Sequence, residues 1–333
     1  MVIILIPINI DKNKISLDEN EDIKQISLKE LNLKENDLEE FLRKNIDLLF
    51  EEEDILIIGQ QVKNKENGRS DLIAIDGEGN LVLIEIKRDK EDIIHRKEPF
   101  EFQAIRYAAN LATIKTIDEL VNKLFVPYIE KHLNEFKEDH LTSSEVAYRV
   151  LDNFLNDNEI ILNFNNKQRI ILVASEFDNQ TLSACSWLIS NGVNIKCFTI
   201  QPLLFNGKHL LDINVLLPQK GLEDFYVEFS EKNRINRKNA NKTTGKRKPN
   251  VKMSDLIQKD IVKVGEILSI KNVSNSDAIV LDEKFVEYNG QKLTFNEWGK
   301  KMTGWSSINI YRYAFSKRFG CVLNDKLNEN EKE

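Results

Sequence analysis

GRSDLIAIDGEGNLVLIEIKRDK, residues 68–90, decides how the larger part of this 333-residue chain is read. Ser70–Ile75 and Leu81–Lys87 are apolar runs of strand length, and the segment between them, Asp76-Gly77-Glu78-Gly79-Asn80, is rich in turn formers. A hairpin symmetric about Glu78 pairs residues whose numbers sum to 156, which sets Asp71 opposite Glu85. Directly opposed side chains have Cβ atoms about 4.5–5.5 Å apart, so two carboxylates converge on one spot. Lys87 lies two residues beyond Glu85 and shares its strand face.

Like charges so placed repel unless something positive sits between them. Mg²⁺ resolves the conflict, because it takes one or two carboxylates and completes its shell with water and phosphate oxygens. Phosphodiester hydrolysis needs these residue types. Asp71 and Glu85 are the candidate metal ligands, with the Ile86 carbonyl as a further donor. Lys87 is the candidate for orienting the attacking water and stabilising charge in the transition state.

Around this hairpin, strand and helix signals alternate. Val2–Ile10 reads as a strand, and Asn36–Phe50 as an amphipathic helix with Leu38, Phe41, Leu42, Ile46 and Leu49 on one face. Asp54–Val62 reads as a strand, followed beyond the hairpin by helices around Pro99–Thr113, Ile117–Leu133 and Ser143–Leu155. A buried strand (Arg169–Ala174), a helix (Asn179–Asn191) and a strand (Val193–Ile200) complete an α/β domain with a mixed central sheet. From Glu231 to Lys252 the chain carries nine Lys/Arg and one acid without apolar periodicity, and reads as a flexible basic linker. Lys246, Arg247 and Lys248 are its candidate phosphate contacts. The expected organisation is thus a large domain over 1–230, a linker over 231–252, and a small α+β domain over 253–325, with a frayed tail. In the small domain, Phe295, Trp298, Trp305, Tyr311, Tyr313 and Phe315 are interleaved with Lys300, Lys301, Arg312, Lys317 and Arg318. Such a mixture suits nucleic-acid contact by stacking and phosphate binding, with Trp305 and Arg312 as the leading candidates, and it also suits a small core with a basic rim.

Asp71…Glu85-Ile86-Lys87 resembles the signature of the PD-(D/E)XK nuclease superfamily. Gly68-Arg69-Ser70-Asp71 followed by LVLIEIKRDK is similar to its NucS-like branch, and Gln103 and Tyr107 in EFQAIRYAANL resemble the Q-x3-Y element of RecB-like families. KENDLEEFLRKNIDLLF is similar to the first helix of the family, and ILVASEFDNQTLSACSWLISNGVNIKCFTI to the strand–helix–strand that completes its core. The resemblance spans roughly residues 1–228. It implies a restriction-endonuclease-like core, Mg²⁺ (with Mn²⁺ as a substitute), a DNA substrate, and a role in bacterial defence or DNA repair. It also implies a catalytic part for Gln103 and for an acid of the first helix, either Glu35 or Glu39 one turn later, with Glu35 preferred. Arg69 is a phosphate contact or a structural salt bridge, and Tyr107 a stacking partner for a base or a core residue. YNGQKLTFNEWGKKMTGWSSINIY resembles small restriction-associated domains of the modified-DNA-reading type. Cutting both strands calls for a homodimer, and a defence setting for partner defence proteins. The rival readings are a non-catalytic nucleic-acid-binding protein on the same fold, and a nuclease subunit that depends on a partner.

Other chemistries find no support. Three cysteines without CxxC spacing and four scattered histidines argue against structural zinc, an HNH site or a disulfide framework, and fit a reducing cytoplasm. No G-x4-GK[ST] loop is present, since Thr244-Gly245-Lys246 lacks the upstream glycine. The longest apolar run is too short to span a bilayer, so no membrane partner is expected. A net charge of −7 does not mark a nucleic-acid binder, but DNA enzymes can confine basic groups to one face.

Overall fold

The computed structural model describes residues 8–11, 14–17, 23–50, 52–66, 68–89, 93, 98–136, 140–160, 164–227 and 252–330. The basic stretch carrying Lys246, Arg247 and Lys248 lies outside them. The chain divides into two compact units, one of residues 1–50 and 55–227 and a second of residues 51–54 and 228–333.

The first unit is mixed α/β. Its elements are β1 (Ile8–Asp11), β2 (Lys14–Leu17), β3 (Lys24–Gln25), α1 (Glu35–Lys44), β4 (Ile55–Lys63), β5 (Arg69–Asp76), β6 (Leu81–Ile86), α2 (Phe100–Leu111), α3 (Ile117–Leu120), α4 (Val126–Lys131), α5 (Ser143–Asp157), β7 (Gln168–Ala174), α6 (Asn179–Ser190), β8 (Asn194–Phe205) and β9 (Lys208–Leu217). β1 and β2 form a separate hairpin. The central sheet runs β3-β8-β7-β6-β5-β4, with β9 on β8. Its β4–β5–β6 portion is antiparallel and β6–β7–β8 is parallel. The middle strands are apolar on both faces because helices cover the sheet: α1 packs on β5 and β6, and α2 on β6 and β7.

The β5–β6 hairpin has the register the sequence predicts. Leu72–Ile84, Ile73–Leu83, Ala74–Val82 and Ile75–Leu81 are paired, and each pair sums to 156. Asp76 fixes this register from the turn. Its Oδ1 accepts from the backbone N–H groups of Glu78 (3.0 Å) and Asn80 (2.8 Å), and its Oδ2 from Arg169 Nη1 (2.9 Å). Gly79 supplies the left-handed residue of the turn at φ +82°. In β4 an irregularity between Ile57 and Gly59 inserts one residue. Because of it, Gln61 and not Gln60 falls opposite Asp71, bracketed by the pairs Gln60–Leu72 and Val62–Ser70.

α1 is shorter than the periodicity suggests, giving way to a 3₁₀ turn at Ile46–Leu48. Leu38, Leu42, Ile46 and Leu49 are buried as expected, whereas Phe41 is exposed. The helix is held in place by Arg43, which donates to Glu135 (2.7 and 2.9 Å), to Glu40 and to the Tyr128 hydroxyl. The run from Ile117 bends through a π turn at Val121–Phe125, with Pro127 early in the following helix.

The second unit comprises α7 (Met253–Gln258), β10 (Ile267–Ile270), β11 (Ala278–Val280), β12 (Phe285–Tyr288), β13 (Gln291–Thr294), α8 (Phe295–Thr303), α9 (Ile310–Tyr313), β14 (Ala314–Ser316), β15 (Cys321–Val322) and α10 (Leu323–Asn330). Its antiparallel sheet runs β13-β12-β11-β10-β14-β15. α8 is closed by a capping box between Thr294 and Glu297 and by Gly304 at φ +75°. The tail expected to fray is helical through Asn330. Among the described residues, no helix is long and apolar enough to cross a membrane.

The Asp76–Arg169 pair is buried, so removing one partner strands the other's charge. Asp76→Ala is expected to cost about 3–5 kcal/mol in urea denaturation; a loss within error of zero would remove Asp76 as the anchor of the hairpin.

Candidate active site

Asp71, Glu85, Lys87, Gln103 and Glu35 converge from four elements. Asp71 stands on β5, Glu85 on β6, Lys87 directly after it, Gln103 on α2 and Glu35 at the start of α1. Asp71 is 5% exposed, Glu85 0% and Lys87 4%. Asp71 Oδ2 accepts from the Ile86 backbone N–H at 2.8 Å, a bond across the hairpin that orients the carboxylate. Gln103 Nε2 donates to Glu85 Oε2 at 3.3 Å. Lys87 Nζ donates to Glu35 Oε1 at 2.8 Å and to the Ile86 carbonyl at 2.6 Å, and stands 3.9 Å from Asp71 Oδ2. The Lys87 backbone N–H donates to the Val173 carbonyl at 2.8 Å, which extends the β6–β7 ladder past the lysine and fixes where its side chain departs.

Both acids of α1 reach the cluster, as their spacing of one helical turn requires. Glu35 takes the ammonium, and with 37% of its side chain exposed it marks the solvent side. Glu39 is buried and accepts a hydrogen bond from Gln61 Nε2, which also donates to Asp71 Oδ1 at 3.2 Å. Burial, and then the negative charge of Asp71, push the Glu39 carboxyl up to about 7. Gln61 is the residue that motif reading misses. It holds φ +56° within a strand, a conformation that a side chain other than glycine adopts at a cost, and it joins two carboxylates. Its position is legible only through the β4 bulge. Its Oε1 accepts from Arg69 Nη1 at 3.2 Å, so Arg69 stands exposed at the margin of the cluster.

Other candidates are placed differently. Tyr107 is buried: its hydroxyl accepts from the Arg69 N–H at 3.0 Å, and a Cβ on Gly68 would lie 2.7 Å from its ring. Its contacts hold the start of β5, which leaves no ring face for a base. Trp305 is 4% exposed and meets Tyr313 edge-on at 5.0 Å. Phe295, Trp298 and Tyr313 are buried with it, so these aromatics are core and not a stacking platform. Arg312 Nη1 lies 3.1 Å from Asp54 Oδ2, within the second unit. His132 bonds Gln60 at 2.8 Å and lies 4.0 Å from Glu135, and His95 lies outside the described residues.

No protein-family model, curated protein or solved structure matches this chain. The chemistry of the cluster therefore rests on its own donors. Four carboxylates gather with one lysine, an excess of negative charge that favours a cation. Among the described residues, no three His, Cys, Asp or Glu side chains are grouped as a metal site. Mg²⁺ does not need three: Asp71, Glu85 and the Ile86 carbonyl are hard oxygen donors of the type it takes, with water filling the rest. The donor set fits the ion.

Glu39 makes stability depend on pH. Between its ordinary 4.5 and about 7 the folded chain keeps the proton that the unfolded chain releases. The unfolded state then binds fewer protons, and stability falls as pH rises through that window. Urea denaturation without divalent metal should show this fall in the wild type and a flatter profile in Glu39→Gln. Identical profiles would contradict the assignment.

Proposed function

We propose that the chain is a Mg²⁺-dependent DNA endonuclease, able to use Mn²⁺, that hydrolyses phosphodiester bonds in a restriction-like defence or a DNA-repair role. The observation that carries this reading is the meeting of Asp71, Glu85 and Lys87 on one buried face, with Lys87 Nζ 3.9 Å from Asp71 Oδ2.

Asp71 and Glu85, with the Ile86 carbonyl, would hold the ion. A bound Mg²⁺ polarises a phosphate oxygen and lowers the pKa of a water ligand. The protein's own groups do the rest. Gln103 keeps the Glu85 carboxylate in a fixed orientation, and the Ile86 N–H does the same for Asp71. Lys87 presents a positive charge where negative charge develops on the phosphate and orients water for attack. Its Nζ rests on Glu35 and on the Ile86 carbonyl, so the carbonyl that would serve as a metal donor also holds the ammonium beside the site. Arg69 supplies an exposed guanidinium for the flanking phosphate. The second unit would contribute recognition through exposed lysines and arginines, since Phe295, Trp298, Trp305 and Tyr313 are buried.

The test is cleavage by the purified full-length chain of methylated, unmethylated, mismatched and single-stranded DNA with Mg²⁺ or Mn²⁺. Cleavage of at least one substrate is expected, reduced roughly 100-fold or more in Asp71→Ala and Lys87→Ala with DNA binding retained. DNA binding without cleavage, while metal still binds, would favour a non-catalytic or partner-dependent role. Absence of both cleavage and metal binding would end the enzymatic reading.

A further inference from the structure

Strand β9 borders the large sheet with ten residues, KHLLDINVLL, well beyond the usual strand length of about five or six. Among the described residues its partner is β8 alone. Such an edge offers a row of backbone donors and acceptors to another strand, and proteins normally blunt it with proline, lysine or a bulge. Here the irregularity of the β8–β9 ladder lies at its far end, between Cys197 and Phe198, and Pro218 follows only after the strand. Among the described residues, no strand pairs with the outer edge from His209 to Asn214.

The outer part of this hairpin is also apolar on both faces. Leu203 pairs with Leu210 and Phe205 with Lys208 on one face; Pro202 pairs with Leu211 and Leu204 with His209 on the other. Leu210 is 46% exposed, Leu211 38% and Val215 49%. On its other side this arm meets the two-residue β3, through Leu203 and Leu204. A narrow arm with apolar groups on both faces gains from a further strand and its side chains.

We propose that the outer edge of β9 pairs antiparallel with the same edge of a second copy, about a two-fold axis at Leu210. Charge selects this occupant. A two-fold contact must be self-complementary, and in this register Lys208 faces Asp212 of the other copy while its own Asp212 faces the other Lys208. Leu210 meets Leu210 between these two ion pairs, with Leu203 and Phe205 of each β8 on the same face. No like charges are opposed. The dimer joins two sheets edge to edge and brings two copies of the Asp71 cluster into one particle, as cutting both strands of a duplex requires. Its formation does not depend on nuclease activity.

Sedimentation of the full-length chain at concentrations of about 100 μM, where even a weak dimer is populated, gives the first reading. A dimer is expected. Asp212→Lys should weaken it roughly tenfold or more, and adding Lys208→Asp in the same chain should restore it. Leu210→Cys in a Cys321→Ser background should form a disulfide-linked dimer on mild oxidation, the other two cysteines being buried. Circular dichroism checks that each variant is folded. A monomer throughout, or a dimer that ignores the charge swap and fails to cross-link at Leu210, would overturn the proposal.

Discussion

The candidate site depends on one constraint, the register of the β5–β6 hairpin. A shift of one residue would turn every side chain on the strand to the opposite face, sending Asp71 away from Glu85 and placing Leu72 or Ile84 among the acids. Asp76 prevents this by binding the turn amides and Arg169 together. The turn thus sets chemistry several residues away. The β4 bulge adds a second layer of control, because it brings Gln61 opposite Asp71. The β6–β7 ladder adds a third, because it continues to the Lys87 N–H.

Around that register the protein assembles an electrostatic arrangement that is costly by itself. Burying several carboxylates together disfavours their charged forms, and the effect is visible at Glu39. Lys87 offsets part of the charge, while Gln61, Gln103 and the Ile86 N–H supply neutral donors. A structure selected for stability alone would replace such a cluster with apolar side chains at little cost. The excess of acids over bases is the feature on which the proposed divalent-cation site rests.

Much of this was legible in the sequence, and the rest was hidden for physical reasons. The hairpin arithmetic holds pair by pair because both strands are regular and the turn is symmetric. Glu35 and Glu39 could be placed on one helix face, but only tertiary packing shows that each serves a different partner. Gln61 was hidden because a bulge and a left-handed residue leave no periodic trace. Tyr107 and Trp305 take the core role that stood beside nucleic-acid contact as an alternative, since spacing gives a residue's face and not what covers it. In the second unit, Phe295, Trp298, Trp305 and Tyr313 are core residues, with Trp298 donating to the Ser276 carbonyl, whereas Tyr311 and Phe315 are half-buried. β9 was not legible because KHLLDINVLL lacks strict alternation, although the positive φ of Asn206 and Gly207 matches a tight hairpin turn.

The central claim is that Asp71 and Glu85 form one divalent-cation site, and calorimetric titration of the full-length chain with Mn²⁺ tests it most directly. One ion per chain should bind, with the affinity lost in Asp71→Asn while circular dichroism remains unchanged. No binding, or equal binding by wild type and variant, would contradict the account.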